Sequence, residues 1–175
     1  MTDLRSLTSE ELCPVLAVLT ALPDKTPFSA LQDIVDQLGW TLRGRSSGLT
    51  SLPVSFQLFG AVGLPDPDGN RELVKLDFRV TDTLKDAGWF GKKLIENAVP
   101  AMVDVVAGCL GFQPTRPKRV PPGFTWDLPD GKQIVLDQGD DVIVLQWWAK
   151  EIADIERYEI NRGIDPAHNL DDRPA

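Results

Sequence analysis

Residues 124–148 read FTWDLPDGKQIVLDQGDDVIVLQWW, and this stretch decides the fold. Its aromatic and β-branched residues predict three strands, at 124–128, 133–137 and 142–148. Asp130-Gly131 is a strong signal for a tight hairpin between the first two strands, and Gly139-Asp140 turns the next corner. Three consecutive strands joined by tight turns predict an antiparallel sheet.

Three further strands are predicted nearer the N-terminus. A short strand covers 40–43, and apolar residues alternate with polar ones at 54–58 and again at 74–80. The turn-forming residues at 65–70 separate the last two strands, which most simply pair as an antiparallel hairpin.

Two helices precede these strands. Thr8-Ser9-Glu10-Glu11 is a capping box that begins the first helix, and Pro23 ends it. The second helix begins at Thr26-Pro27, an N-cap followed by proline, and ends at Gly39.

A long helix is predicted over about 89–110, in which Pro100 either introduces a kink or marks where one helix stops and another starts. A basic, proline-rich loop follows it and contains Arg116, Lys118 and Arg119. The last helix covers 151–160, with Ile152, Ile155 and Tyr158 along one side.

The predicted fold class is α+β, with a mainly antiparallel sheet of about six strands and helices packed against it. Residues 1–160 are predicted to form a single domain, which is long enough to bury its own core. Residues 161–175 are polar and include proline, which predicts a flexible C-terminal tail.

The chain is acidic, since 18 Lys and Arg residues against 26 Asp and Glu residues give a formal net charge of −8. This charge argues against a nucleic-acid-binding protein, which would carry a basic surface. It favours a basic protein partner, because opposite charges speed encounter and help to select the partner. Solubility is an equally good explanation of the same charge.

Neither a signal peptide nor a membrane span is predicted. No long apolar segment follows the first residues, and no uncharged apolar stretch reaches the ~20 residues that cross a bilayer. Cys13 and Cys109 lie far apart in the sequence and pair only if the fold brings them together. We expect no disulfide framework and a cytoplasmic location.

No catalytic residue, cofactor or metal ligand is predicted, and the chain is not expected to be an enzyme. Its one histidine, His168, lies in the tail, although histidine is the commonest acid–base group at neutral pH. Asp66-x-Asp68-Gly69-Asn70 resembles part of a calcium loop, but its spacing does not fit an EF-hand, and a hairpin turn explains these residues.

Two groups of acidic residues are weaker candidates. Three aspartates cluster near a predicted hairpin tip: Asp137, Asp140 and Asp141. Paired carboxylates do acid–base work only if burial separates their pKa values, and a solvated turn is the simpler explanation. Four acidic residues lie on the last helix: Glu151, Asp154, Glu156 and Glu159. They either attract a basic partner or form a solvated helix face.

Trp147 and Trp148 are adjacent on a predicted strand, so their side chains point to opposite faces of the sheet. One of them is predicted to lie in the core. The other lies on the outer face, where it either anchors a partner or is covered by the last helix.

One polar loop is the main candidate for a partner-binding element. It consists of Arg43, Gly44, Arg45, Ser46, Ser47, Gly48 and Leu49. Arginine forks bind phosphates or carboxylates, but the loop lacks the Gly-Lys-Ser/Thr of a phosphate cradle. We therefore predict a flexible, positively charged loop that enters a cleft of another protein; an ordinary loop with solvated arginines is the alternative.

Four segments together resemble a known family. They are Leu7-Thr8-Ser9-Glu10-Glu11, Leu38-Gly39-Trp40, Cys109-Leu110-Gly111-Phe112-Gln113-Pro114-Thr115 and Phe124-Thr125-Trp126-Asp127-Leu128-Pro129. Their order, over about 7–150, resembles a family of small actinobacterial proteins found with secreted polymorphic toxins. The length and acidity also resemble immunity factors of the kind that neutralise the tuberculosis necrotizing toxin.

This resemblance implies a cytosolic antitoxin that forms a one-to-one complex with a secreted, NAD-hydrolysing toxin domain and occupies its substrate cleft without catalysis. The resemblance supplies no motif from which site residues can be transferred. Residues 43–49 are the predicted inserted element on physical grounds, because glycine allows close approach and arginine can fill polar substrate sites. A chaperone or adaptor for an exported protein, and an enzyme with a carboxylate-based site, remain as alternatives.

Overall fold

A computed structural model of the chain describes residues 4–39, 58–84, 87–119 and 122–163. Its helices are α1 (Ser9–Thr20), α2 (Leu31–Gln37), α3 (Gly88–Leu110) and α4 (Lys150–Asn161), and a 3-10 turn, Phe28–Ala30, precedes α2. Its strands are β1 (Leu58–Pro65), β2 (Arg71–Arg79), β3 (Arg116–Arg119), β4 (Pro122–Asp127), β5 (Gln133–Gln138) and β6 (Ile143–Trp148).

The strands form one six-stranded sheet in the order β1-β2-β6-β5-β4-β3, and every neighbouring pair is antiparallel. The predicted α+β class is therefore confirmed, as is the β4–β5 hairpin. Strands β1 and β2 also form an antiparallel hairpin, but β1 covers Leu58–Pro65 and shares only Leu58 with the predicted strand at 54–58. In the middle of the sheet, β2, from the first half of the chain, pairs with β6, the last strand.

One strand lies where a loop was predicted. The basic, proline-rich segment forms the edge strand β3, which pairs with β4. Pro117 is compatible with a strand here, because the edge of a sheet leaves some backbone N–H groups without a ladder partner. The predicted strand at 40–43 lies outside the described residues, as does 54–57.

The first face of the sheet carries the core. Leu76, Trp147, Ile134 and Trp126 are direct neighbours across four strands, and none is more than 1% exposed. Apolar side chains of α1 and α3 pack on this row in one continuous cluster. The Trp126 indole also donates a hydrogen bond of 3.2 Å to the Phe112 carbonyl, just beyond α3.

The helix ends follow most of the predicted signals. The Thr8 hydroxyl accepts from the Glu11 backbone N–H at 3.3 Å, as expected of a capping box. The Thr26 hydroxyl does not cap α2, since it donates to the Pro23 carbonyl at 2.8 Å. Helix α3 is one continuous helix through Pro100, so that residue does not divide it, and Gly111 ends it with a φ of 87°.

A disulfide joins α1 to α3, contrary to the expectation drawn from the sequence. Cys13 and Cys109 are 96 residues apart, yet their Cα atoms are 4.9 Å apart and their sulfurs are bonded. The pairing is possible because α1 and α3 pack side by side on the same face of the sheet. The sequence argument from unpaired cysteines to a reducing compartment therefore no longer applies.

Helix α4 lies on the second face of the sheet, where Glu156 and Arg157 contact Arg116 of β3 and Asp127 of β4. Within the described ranges, no helix has the length and apolar character needed to cross a membrane.

Candidate functional site

The predicted partner-binding loop, 43–49, lies outside the described residues. Its role therefore stays a prediction. The other candidates from the sequence all lie within the described part of the chain.

The three aspartates near the β5–β6 turn are directed to different partners. Asp137 pairs with Lys118 of β3 at 2.7 Å, on the second face of the sheet. Asp140 is 86% exposed and lies 3.3 Å from Lys92 of α3. Asp141 accepts a backbone hydrogen bond from Leu84 through its main-chain carbonyl. The sequence cluster does not become one carboxylate site.

The Asp66 segment forms the turn between β1 and β2. The Oδ1 atom of Asp66 accepts hydrogen bonds from the backbone N–H groups of Asp68 at 2.9 Å and Asn70 at 2.8 Å, which is the usual role of an aspartate that begins a turn. No group of three or more potential metal ligands occurs among the residues that the structure describes.

The paired tryptophans point to opposite faces, as predicted. Trp147 is buried in the core. Trp148 is half-buried on the second face, where the ammonium groups of Lys75 and Lys118 lie 5.6 and 5.7 Å from its ring centroid. The two lysines lie on strands to either side of β6, Lys75 on the neighbouring β2 and Lys118 on the edge strand β3, and both contact the ring on the second face.

Two carboxylates complete this polar cluster on the second face. Asp77 lies 3.9 Å from Lys75, and Asp137 lies beside Lys118. Burial is the largest cause that raises the pKa of Asp77 above its ordinary 3.8. The charge of Lys75 and, less strongly, that of Lys118 lower this pKa, whereas the charge of Asp137 raises it. Its Oδ1 atom is buried without a hydrogen-bond partner. Two cations and two carboxylates balance one another, so the cluster has little net charge to offer a charged ligand.

A second group of ion pairs fixes α4 to the sheet. Asp127 accepts from Arg116 at 2.6 Å and from Arg157 at 3.0 Å, and Glu156 accepts from Arg116 at 2.8 Å. Gln133 donates to the same Asp127 carboxylate at 2.8 Å. Gln133 Oε1 and Glu156 Oε2 are buried without a hydrogen-bond partner, but the other contacts of the group fix α4 to the sheet, so we interpret the group as structural.

The aromatic pair at the start of α3 is the strongest candidate for a functional surface. Trp89 is 75% exposed and Phe90 is 55% exposed. Exposed tryptophan is uncommon and is enriched at the centres of protein–protein interfaces. The adjacent Lys92 and Lys93 form exposed ion pairs with Asp140 and Glu96.

The sequence held a signal for this surface that the predictions did not use. The buried residues of α3 recur at a helical spacing: Gly91, Ile95, Val99, Met102 and Val106. Trp89 is two residues before the first of them and therefore lies on the opposite, polar side of the helix. An aromatic residue outside the apolar stripe predicts a surface contact rather than core packing.

Residues 10–149 match the model of a family described as a family of unknown function, DUF6301. No curated protein and no solved structure matches the chain.

Proposed function

The chain belongs to the DUF6301 family, whose function is unknown, and we propose that it is an immunity protein. In this proposal it binds a secreted, NAD-hydrolysing toxin domain one-to-one and blocks the toxin's active site without catalysis. The exposed pair Trp89 and Phe90 is the observation that carries the proposal, because two adjacent aromatic side chains form a ready anchor for a partner protein. The class of partner comes from the resemblance described above.

Two elements have separate roles in the proposal. Trp89 and Phe90 supply apolar contact area to the complex. The loop at 43–49 enters the substrate cleft, where Arg45 occupies a site for a polar or charged substrate group. The net charge of −8 speeds association with a basic toxin domain.

The proposal places the protein in the cytoplasm, where the toxin would consume the cell's NAD. The Cys13–Cys109 disulfide weighs against that location, since cytoplasmic thiols are mostly reduced. A cytoplasmic antitoxin would therefore work with both cysteines as thiols, or its disulfide would resist the reductants of the cell.

The test is NAD hydrolysis by a purified NAD-glycohydrolase toxin domain, titrated with this protein. A sharp loss of activity at the equimolar point supports the proposal, and a mixture with undiminished hydrolysis and no complex overturns it. A complex in which hydrolysis persists also overturns it, in favour of a chaperone or adaptor for an exported protein.

Variants separate the two elements. Trp89→Ala with Phe90→Ala is expected to weaken the complex at least about tenfold, as loss of an interface anchor does. Arg45→Ala is expected to relieve inhibition. Asp68→Ala, in the exposed β1–β2 turn, is the control and should inhibit like the wild type.

A further inference from the structure

Helix α4 directs its two large apolar side chains Ile155 and Tyr158 to solvent and two charged side chains to the sheet, while its buried residue is the small Ala153. Ile155 is 51% exposed and Tyr158 is 56% exposed. The opposite side of the helix carries Glu156 and Arg157, which form the ion pairs with β3 and β4. A surface helix usually has the reverse orientation, with its apolar stripe against the core.

The polar second face of the sheet explains this orientation. Below α4 lie Arg116, Asp127 and Gln133, and burying their polar groups against isoleucine and tyrosine would leave them without partners. Ion pairs therefore fix the charged side of the helix inward. Ile155 and Tyr158 are left outside, and neither belongs to the core cluster.

The outward apolar pair is framed by carboxylates. Glu151 and Glu159 lie one helical turn before and after Ile155, and neither forms an ion pair within the described ranges. Asp154 differs, because Lys150 and Arg157 hold it at 2.6 and 2.7 Å. The helix thus presents two apolar side chains between two carboxylates without ion pairs, and the guanidinium of Arg162 lies 4.9 Å from the centroid of the Tyr158 ring.

We propose that the outer face of α4, defined by Glu151, Ile155, Tyr158 and Glu159, docks a partner protein with an apolar groove rimmed by lysine or arginine. The apolar pair fills the groove, as an amphipathic helix does in helix-in-groove recognition. The two glutamates pair with the basic rim, which matches the net charge of −8. The inference does not require that the partner hydrolyse NAD.

The surface is tested with a synthetic helical-hairpin peptide of leucine and lysine, whose two helices form an apolar groove rimmed by lysine; it is added to the full chain and followed by amide NMR shifts. We expect the shifts to concentrate at 151–159. Ile155→Ser with Tyr158→Ser should weaken binding about tenfold, because both positions lose the apolar contact. Val62→Ser removes an apolar side chain of similar exposure, 43%, from β1 and should change nothing.

Three results would overturn the inference. One is equal affinity of the wild type and the Ile155→Ser/Tyr158→Ser variant for the peptide. Another is equal affinity for a peptide with glutamate in place of lysine. A third is evidence that the α4 face is already covered in the free chain. Sedimentation would show this as a dimer, and nuclear Overhauser contacts between residues 164–175 and Tyr158 would show it within one chain.

Binding experiments with the toxin domain distinguish failure of this inference from failure of the proposed function. If the domain does not bind the wild-type chain but the lysine peptide binds at α4, the immunity proposal fails and the docking surface stands. If the wild type and the Ile155→Ser/Tyr158→Ser variant inhibit the toxin domain equally and bind the peptide with equal affinity, the immunity proposal stands and the docking surface fails.

Discussion

The carboxyl of Asp77 has a lysine on its own strand, at 3.9 Å, and yet its pKa is raised. Burial is the largest cause, and the carboxylate of Asp137 adds to it. One of its oxygens is buried without a hydrogen bond, which is costly for a charged group. Ionised Asp77 therefore reduces the stability of the folded chain.

Asp77→Asn is expected to raise the free energy of unfolding at neutral pH. An acid with a raised pKa in the folded state favours folding at low pH, and this contribution is lost as the pH rises through the folded pKa. The advantage of the variant should accordingly shrink as the pH falls through the raised pKa of folded Asp77, and it should be gone below 3.8, the ordinary pKa of the carboxyl. Urea unfolding of both proteins across this range measures the difference, and a variant less stable than the wild type at neutral pH would contradict the expectation.

At the scale of the element, α4 depends on charges where α1 and α3 depend on apolar packing. Burial opposes ionisation of Asp127, but the hydrogen bond from Gln133, the charge and hydrogen bond of Arg116 and the hydrogen bond from Arg157 outweigh it, so the pKa of Asp127 is lowered. Ionised Asp127 therefore stabilises the fold and holds the helix in place.

Asp127→Asn is expected to lower the free energy of unfolding at neutral pH by about 1–2 kcal/mol, since it weakens charge-assisted hydrogen bonds at a partly exposed site. An acid with a lowered pKa contributes stability above its ordinary pKa, 3.8, and loses it as the pH falls through the folded value. The variant should thus be less stable than the wild type at neutral pH and equally stable in acid, whereas the Asp77 variant is expected to be more stable than the wild type at neutral pH. Urea unfolding with helix content as the signal tests this, and a deficit that persists at low pH would show that the charge is not its cause.

At the scale of the whole molecule, local signals predicted more than non-local ones. The cap at Thr8 and the hairpin at Asp130-Gly131 act within a few residues, and the structure has α1 and the β4–β5 hairpin at those places. The strand β3 was missed because Pro117 and the prolines that flank the strand are typical of a loop, and only pairing with β4 makes this segment a strand.

The candidate surfaces depend on contacts that no local pattern contains. The outward position of Ile155 and Tyr158 on α4 follows from the polar sheet face beneath the helix, whose ion-pair partners lie 30 and 40 residues away in the sequence. The exposure of Trp89 was predictable in part, because its offset from the buried stripe of α3 is visible in the sequence. The loop at 43–49 is still a prediction.

The Cys13–Cys109 disulfide is the longest-range of these contacts, and it connects the first helix to the third across 96 residues. In the chain-entropy model, a cross-link stabilises a fold by restricting the unfolded chain, more so for longer loops. The disulfide therefore acts on a large part of the molecule, because the segment that it closes includes most of α1, all of α2, β1 and β2, and most of α3.

Reduction of this disulfide is expected to lower the free energy of unfolding by about 2–4 kcal/mol. Urea unfolding with and without a thiol reductant measures the change, and the Cys13→Ala/Cys109→Ala variant is the control, because it should not respond to the reductant. A wild-type chain that is equally stable in both conditions would show that the cross-link contributes nothing. A large loss of stability would mean that a cytoplasmic antitoxin must work close to its stability limit, which would favour a more oxidising compartment over the cytoplasm.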